Sequence, residues 1–407
     1  MSRPPAGPPR GAATSEPVPV RPLILLGAAA LASVATMRVA DPLVPQVAQE
    51  FGVSAGEAAI ITTAFALAYG VFQLIYGVLG DRFGKYRLVA LATLASALTV
   101  SLAGLAGSLA MLGAARLVAG ATAAAIVPLS MAFIGDHVPY ANRQTVLARF
   151  MSGTLLGMIA GQVLGGLLGD LLGWRAVFLL LGALFLVVGL LLQLELRSPR
   201  VPTPVLAGAI SPASLAAGYG GLLRRPWVVI VLVTVFVEGF LFYGAFTFVG
   251  AYLRTRFALD YTVIGLLLGC MGIGGLLYTF TVRPLVRLLG ERGLALAGGI
   301  TLALGFLLTA TGPLAAMAPA TAVLGLGLYM LHNTLQTNAT QMAPEARGLA
   351  VSTFANALFL GQAGGVWLCG LLVDRAGYTP VFVVCGGALL ATGLAFALLL
   401  QHRPAAG

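Results

Sequence analysis

Long apolar runs follow one another along almost the whole chain, separated by short segments that carry Arg, Asp, Pro and Gly. Each run is about 20 residues long, enough to cross the hydrocarbon core of a bilayer as a helix. In lipid the backbone N–H and C=O groups have no water to bond, so each run must satisfy them within itself. The pattern predicts spans at roughly 22–44, 55–79, 87–107, 110–133, 147–169 and 173–195, and again at roughly 227–252, 261–283, 293–312, 315–338, 349–371 and 379–400. Between the sets lies Arg197 to Arg225, punctuated by Pro199, Pro202, Pro204 and Pro212 and closed by Pro226, which reads as a linker. The expected organisation is a tail over 1–21, a six-helix bundle over 22–196, a linker over 197–225, a second bundle over 226–401 and a short tail over 402–407. Met1 to Arg21 is rich in Pro, Gly, Ala and Arg, a composition that buries no core and predicts a disordered tail rather than a cleaved signal.

A repeat relates the two sets. Arg143, Gly157, Gly161, Gly166, Leu167, Leu168, Asp170, Gly173, Val177 and Phe178 recur as Arg347, Gly361, Gly365, Gly370, Leu371, Leu372, Asp374, Gly377, Val381 and Phe382, each 204 residues later. Constant spacing over that length points to six helices duplicated in parallel. The predicted fold is therefore an all-α membrane protein with twelve transmembrane helices in two pseudo-symmetric six-helix bundles.

Composition agrees with this reading. Of 407 residues 59% are hydrophobic and 9% charged, far from the balance of a soluble domain. The formal charge of +10 could suggest nucleic acid, but the 23 basic residues include a single lysine and sit mostly in short inter-helix segments. With the N-terminus placed in the cytoplasm, 17 of them, from Arg3 to Arg403, fall inside and only Arg175, Arg254, Arg256 and Arg375 fall outside. That asymmetry predicts cytoplasmic termini in an inner membrane, with no nucleic-acid partner. Cys270, Cys369 and Cys385 lie in apolar runs without ligand spacing and are expected to pack. No metal site, no cofactor and no nucleotide-binding motif is expected. HExxH, GxGD and a paired His and Asp are missing, which argues against a membrane enzyme.

The segment Gly77-Val-Leu-Gly-Asp81-Arg82-Phe-Gly84-Lys85-Tyr-Arg87 resembles the loop after the second helix of the major facilitator superfamily, and other segments resemble its proton-coupled drug and metabolite exporter branch. The resemblance implies alternating access around a central cavity, with Gly77, Asp81, Arg82, Gly84 and Lys85 as a conformational gate and Asp81 meeting the helix start near Gly348. The matching loop of the second half carries Arg287 where the acid belongs, so the gate is expected to be asymmetric. Arg116 is similar to the family's fourth-helix arginine. The glycines of the fifth span, Gly153, Gly157, Gly161, Gly165 and Gly166, resemble its antiporter motif, although Gln162 stands where that motif has proline. Their spacing by itself predicts close helix packing.

An ionisable residue deep in a span is a functional candidate by default. Asp41 and Glu238 are the competing candidates for proton carrier, singly or together; Arg38, three residues before Asp41, and Arg116 would tune the acid, while a permanent Arg38–Asp41 pair is the bland alternative. Tyr69, Gln73, Gln162, His332 and Asn333 are candidates for the substrate cavity, with Tyr76 and Tyr243 as further aromatics. Ser54 and Glu57 read as a capping box for the second span, and Asp260 as the N-cap of the eighth. The expected activity is proton-coupled efflux of a small molecule by a protein functional as a monomer in the bilayer; an importer or facilitator of a sugar, organic acid or other metabolite is the alternative.

Overall fold

The computed structural model describes residues 20–198 and 212–403. The first tail up to residue 19, residues 199–211 of the linker and the end from 404 lie outside the described residues. The helices are α1 (Val20–Arg38), α2 (Ala40–Phe51), α3 (Ala55–Ala58), α4 (Ile60–Phe83), α5 (Lys85–Gly104), α6 (Leu109–Ala123), α7 (Ile126–His137), α8 (Tyr140–Glu195), α9 (Pro212–Leu223), α10 (Pro226–Phe246), α11 (Val249–Phe257), α12 (Tyr261–Thr311), α13 (Met317–Gln341), α14 (Arg347–Ala376) and α15 (Tyr378–Leu399).

Ten of the helical stretches are long and apolar enough to cross a bilayer. Two of them count double. α8 has 56 residues and α12 has 51, each far beyond the roughly 30 Å a span requires at 1.5 Å per residue. Each is broken at one glycine with positive φ, Gly173 at 81° and Gly290 at 63°, a backbone that other residues adopt only with strain. The contacts of α12 along α13 show the reversal. Thr321 Oγ1 donates to Leu267 O at 2.6 Å, and Gly325 and Gly275 meet Met271 and Tyr329, so the first half of α12 runs parallel to α13. Beyond Gly290 the order inverts, with Gly298 against Leu331 and Gly305 against Leu324. Twelve crossings result among the described residues.

The predicted spans differ from the helices mainly at their ends. The first continues past residue 44 through α2, because the Val39 N–H bonds Ala35 O at 2.8 Å and Val39 keeps helical angles. The seventh runs through α11 to Phe257. Part of the expected linker is itself helical, as α9.

The repeat is visible in the packing. A methyl group on Gly157 would lie 2.5 Å from Leu31 O, and one on Gly161 2.5 Å from Ala35 O, so α8 begins parallel to α1 in backbone contact. One on Gly361 would lie 2.1 Å from Phe236 O, and one on Gly365 1.9 Å from Phe240 O, which is the same seam between α14 and α10. Without lipid-excluding hydrophobic force between helices, such close backbone approach supplies the contact. One buried apolar cluster is drawn from Leu25 to Leu192 and another chiefly from Leu222 to Leu400, the second also taking in Ala59 and Met158. Large side chains such as Leu171, Phe280 and Val384 remain exposed, as expected of a surface that meets lipid. The chain sets meet along α3 and α4 with α14 and along α8 with α12: Gly370 against Gly56, Gly70 against Phe359, and Gly166 against Gly265. We call the face with Val20 and Arg403 the terminal face and the opposite one, with Gly52, Gly173 and Gly377, the far face.

Candidate functional site

Because α1 passes into α2 without a break, Arg38 and Asp41 stand one turn apart on one helical face. Both are buried. Arg38 Nη1 lies 3.8 Å from Asp41 Oδ2, a long ion pair, and its Nη2 donates to Gln362 Oε1 at 3.5 Å. The guanidinium also sits 4.2 Å over the ring of Tyr243. A cation of the first half is thus held by α10 and α14 of the second. Gln162 Nε2 reaches the same Asp41 oxygen at 3.5 Å. Asp41 Oδ1, Gln162 Oε1 and Gln362 Nε2 are buried without a hydrogen-bond partner, so this polar centre is underfilled.

Arg116 is fully buried and finds backbone carbonyls rather than a carboxylate. Its Nε donates to Ile61 O at 2.8 Å and its Nη2 to Thr36 O at 3.1 Å. The plane of the group rests on Phe65 at 4.3 Å, with Phe178 at 5.2 Å. A helical carbonyl has a second lone pair, which lets α1 and α4 each accept this extra bond. Arg116 therefore ties α6 to both helices, close to the Arg38–Asp41 pair.

Glu238 of α10 has no exposure and lies with Oε2 2.8 Å from His332 Nδ1 on α13, while its Oε1 has no partner. Tyr243 follows Glu238 by five residues, a rise of about 7.5 Å along the helix. One helix therefore touches both polar clusters. Asn333 is half-buried beside His332, Tyr69 packs between Phe65 and Phe359, and Gln73 is buried with Oε1 unpartnered. Two residues were missed from the sequence: Gln362, which holds Arg38, and Asn356, whose Nδ2 donates to Gly70 O across the halves at 2.9 Å. The available signal was a polar amide inside an apolar span.

At the terminal face Gly84, with φ 87°, turns the chain between α4 and α5. Asp81 is bound to Lys85 at 3.0 Å, and Lys85 also pairs with Asp136 of α7. Arg82 lies exposed along Phe83. Among the described residues Asp81 pairs with Lys85 and with no group at the helix start near Gly348, so the expected contact is not made in this conformation. The physical reason is that Lys85, one turn away, satisfies the acid locally, while the glycine seams above hold the halves together at the far face. Arg287 is exposed, and Glu291 beside it bonds Arg403 and Asn338, each at 3.3 Å. Ser54 and Glu57 form the capping box, whereas Asp260 occupies its N-cap position with no capping hydrogen bond. The three cysteines are free, Cys369 and Cys385 packing with sulfurs 3.8 Å apart. Among the described residues no cluster of His, Cys, Asp or Glu fits a metal ion.

The sequence profile of the Major Facilitator Superfamily matches residues 26–339 and 249–407. Similar proteins include the multidrug efflux protein YfmO of Bacillus subtilis, 27% identical over 90% of this chain and 89% of that one. The probable sulfoacetate transporter SauU of Cupriavidus necator is 24% identical over 88% of each chain. In three dimensions the chain resembles the nucleoside transporter NupG, with a TM-score of 0.75 at 14% identity over 93% of this chain and 99% of that one. The duplicated twelve-crossing fold, the buried ionisable pairs and the profile match lead to one conclusion: the chain belongs to the Major Facilitator Superfamily, as a multi-pass membrane transporter of small molecules and not an enzyme.

Proposed function

We propose that the chain exchanges a small molecule for protons, working as an efflux antiporter by rocking of its two six-helix halves, residues 22–196 and 226–401, about the central site. The observation that carries this reading is the Glu238–His332 pair. An enclosed carboxylate with one oxygen on an imidazole and the other unpartnered is a group that can hold or release a proton as its surroundings open. Asp41 is the second carrier, with Arg38 and Arg116 setting its charge balance and Gln162 its orientation. Tyr69, Gln73, Asn333 and the exposed edge of His332 line the substrate path. Export is favoured by the likeness to YfmO along nearly the full chain. The protein acts as a monomer in the inner membrane with both termini in the cytoplasm, the orientation that puts most of its arginines inside.

Reconstitution into proteoliposomes tests the reading. An imposed proton gradient should drive substrate against its own gradient in the parent, and Asp41→Asn with Glu238→Gln together should abolish that drive. Undiminished gradient-driven flux in the double variant would remove the proton from the cycle. The likeness to SauU supports a second reading, import of an organic anion held by Arg38, and the direction of accumulation in intact cells separates the two.

A further inference from the structure

Two acids outside the central site, Asp170 and Asp374, are separated by the 204 residues that relate the halves. Each reaches across to the other half. Asp170, near the far-face end of the first half of α8, accepts the N–H of Tyr261 on Oδ1 at 3.1 Å and that of Thr262 on Oδ2 at 2.6 Å. It thereby caps α12, whose own N-cap Asp260 makes no such bond. Asp374, at the far-face end of α14, accepts the Ser54 hydroxyl on Oδ2 at 2.7 Å and the N–H of Gly56 on Oδ1 at 3.1 Å. It meets the start of the spanning stretch Ala55–Phe83. Beneath each acid the two helices touch at paired glycines, Gly166 with Gly265 and Gly370 with Gly56.

The first N–H groups of a helix have no partner inside it, and they gather at the positive end of the helix dipole. A carboxylate is the strongest acceptor a side chain can offer them. Here both acceptors come from the opposite half, so their bonds last only while α8 stays on α12 and α14 stays on α3. A cap that served folding alone would come from within its own half, as Ser54 does for Glu57.

We propose that Asp170 and Asp374 are a matched pair of positioning residues that hold the far face shut, and that their joint release is the step that opens that face. The proposal rests on the alternation of the two halves and on neither the coupling ion nor the direction of transport.

The test measures a distance and needs no substrate. In a variant with Cys270, Cys369 and Cys385 replaced by serine, Gly107→Cys and Ala315→Cys place spin labels on far-face loops of the two halves, at positions open to solvent. Pulsed electron resonance in lipid nanodiscs then reports the fraction of long distances. Asp170→Ala and Asp374→Ala should each raise the ratio of open to closed by about tenfold, the effect expected of losing hydrogen bonds to a charged acceptor. Their combination should raise it further. Asp170→Asn and Asp374→Asn keep an acceptor oxygen without the charge and should shift the ratio less, in the same direction, as should Ser54→Ala. These milder variants carry the test if the alanine proteins do not fold. A double variant that elutes as folded protein with an unchanged distance distribution overturns the proposal, even with a lowered melting temperature. So does a shift toward the closed form.

Discussion

His332 Nδ1 stands 2.8 Å from Glu238 Oε2, an imidazole 22% exposed against a carboxylate with none, so the hydrogen-bond partner of that carboxylate oxygen reaches a partly open surface. This arrangement distinguishes net transport from exchange. Glu238→Gln keeps the volume and an acceptor oxygen but no transferable proton. Uptake or efflux driven by a pH gradient should fall at least tenfold, while exchange of labelled for unlabelled substrate across the membrane, which needs no net proton movement, should persist. His332→Gln should retain exchange and flatten the pH profile of driven transport. Parallel assays at matched protein density check both.

Arg116 makes a structural prediction. Its bonds to Ile61 O and Thr36 O fasten three helices from one side chain. Arg116→Leu removes both and leaves the Phe65 and Phe178 faces without their cation. Hydrogen bonds from a charged group contribute roughly 1.5–3 kcal/mol. The melting temperature in detergent should drop by several degrees, and Arg116→Lys, which cannot span both carbonyls with a planar fork, should recover little of it.

The glycine seams predict a sharp contrast between positions. A methyl group on Gly365 would press to 1.9 Å of Phe240 O, which is immovable backbone, whereas one on Gly387 meets nothing within 4 Å. Gly365→Ala should cost about 1–3 kcal/mol or more and reduce the yield of folded protein, and Gly387→Ala should be neutral. Fluorescence-detected size exclusion of the two variants after a heat step compares them directly.

At the terminal face the expected sign is opposite to that of the far-face acids. Asp81 holds Lys85 in this conformation, and the resemblance of its loop implies that it meets the start of α14 in the form whose terminal face is closed. Asp81→Asn should then favour a far-face-closed population and slow turnover, while substrate affinity measured at equilibrium changes less than twofold. Thermal-shift titration alongside transport rates separates affinity from turnover.

Much of the fold was legible in the sequence because lipid leaves the backbone few solutions. Run length marked the crossings, and the 204-residue repeat announced the duplicated seam later seen at Gly157 with Leu31 and Gly361 with Phe236. The reversal at Gly290 fell between two predicted runs, and that at Gly173 on the first residue of one. The site was less legible. Glu238 and His332 were singled out separately, but nothing in a sequence joins residues 94 apart on different helices. Asp260 had the right type and place for a cap and lost the role to Asp170, since which carboxylate reaches a helix start is decided by tertiary packing. Asp81 is bound to Lys85 here and not to the helix start that its motif implies. One sequence encodes every state of a cycle, and an acid at a moving interface changes partner between them.

The reciprocity of Asp170 and Asp374 makes the two halves behave as the protomers of an isologous dimer, each offering an acceptor and receiving one through equivalent surfaces. Polypeptides ending before residue 199 and beginning after residue 211 would then carry complementary docking surfaces. Coexpressed as separate chains, they should copurify as a one-to-one complex, with the far-face acids among the contacts that hold it, beside Asn356 on Gly70 and Arg38 on Gln362.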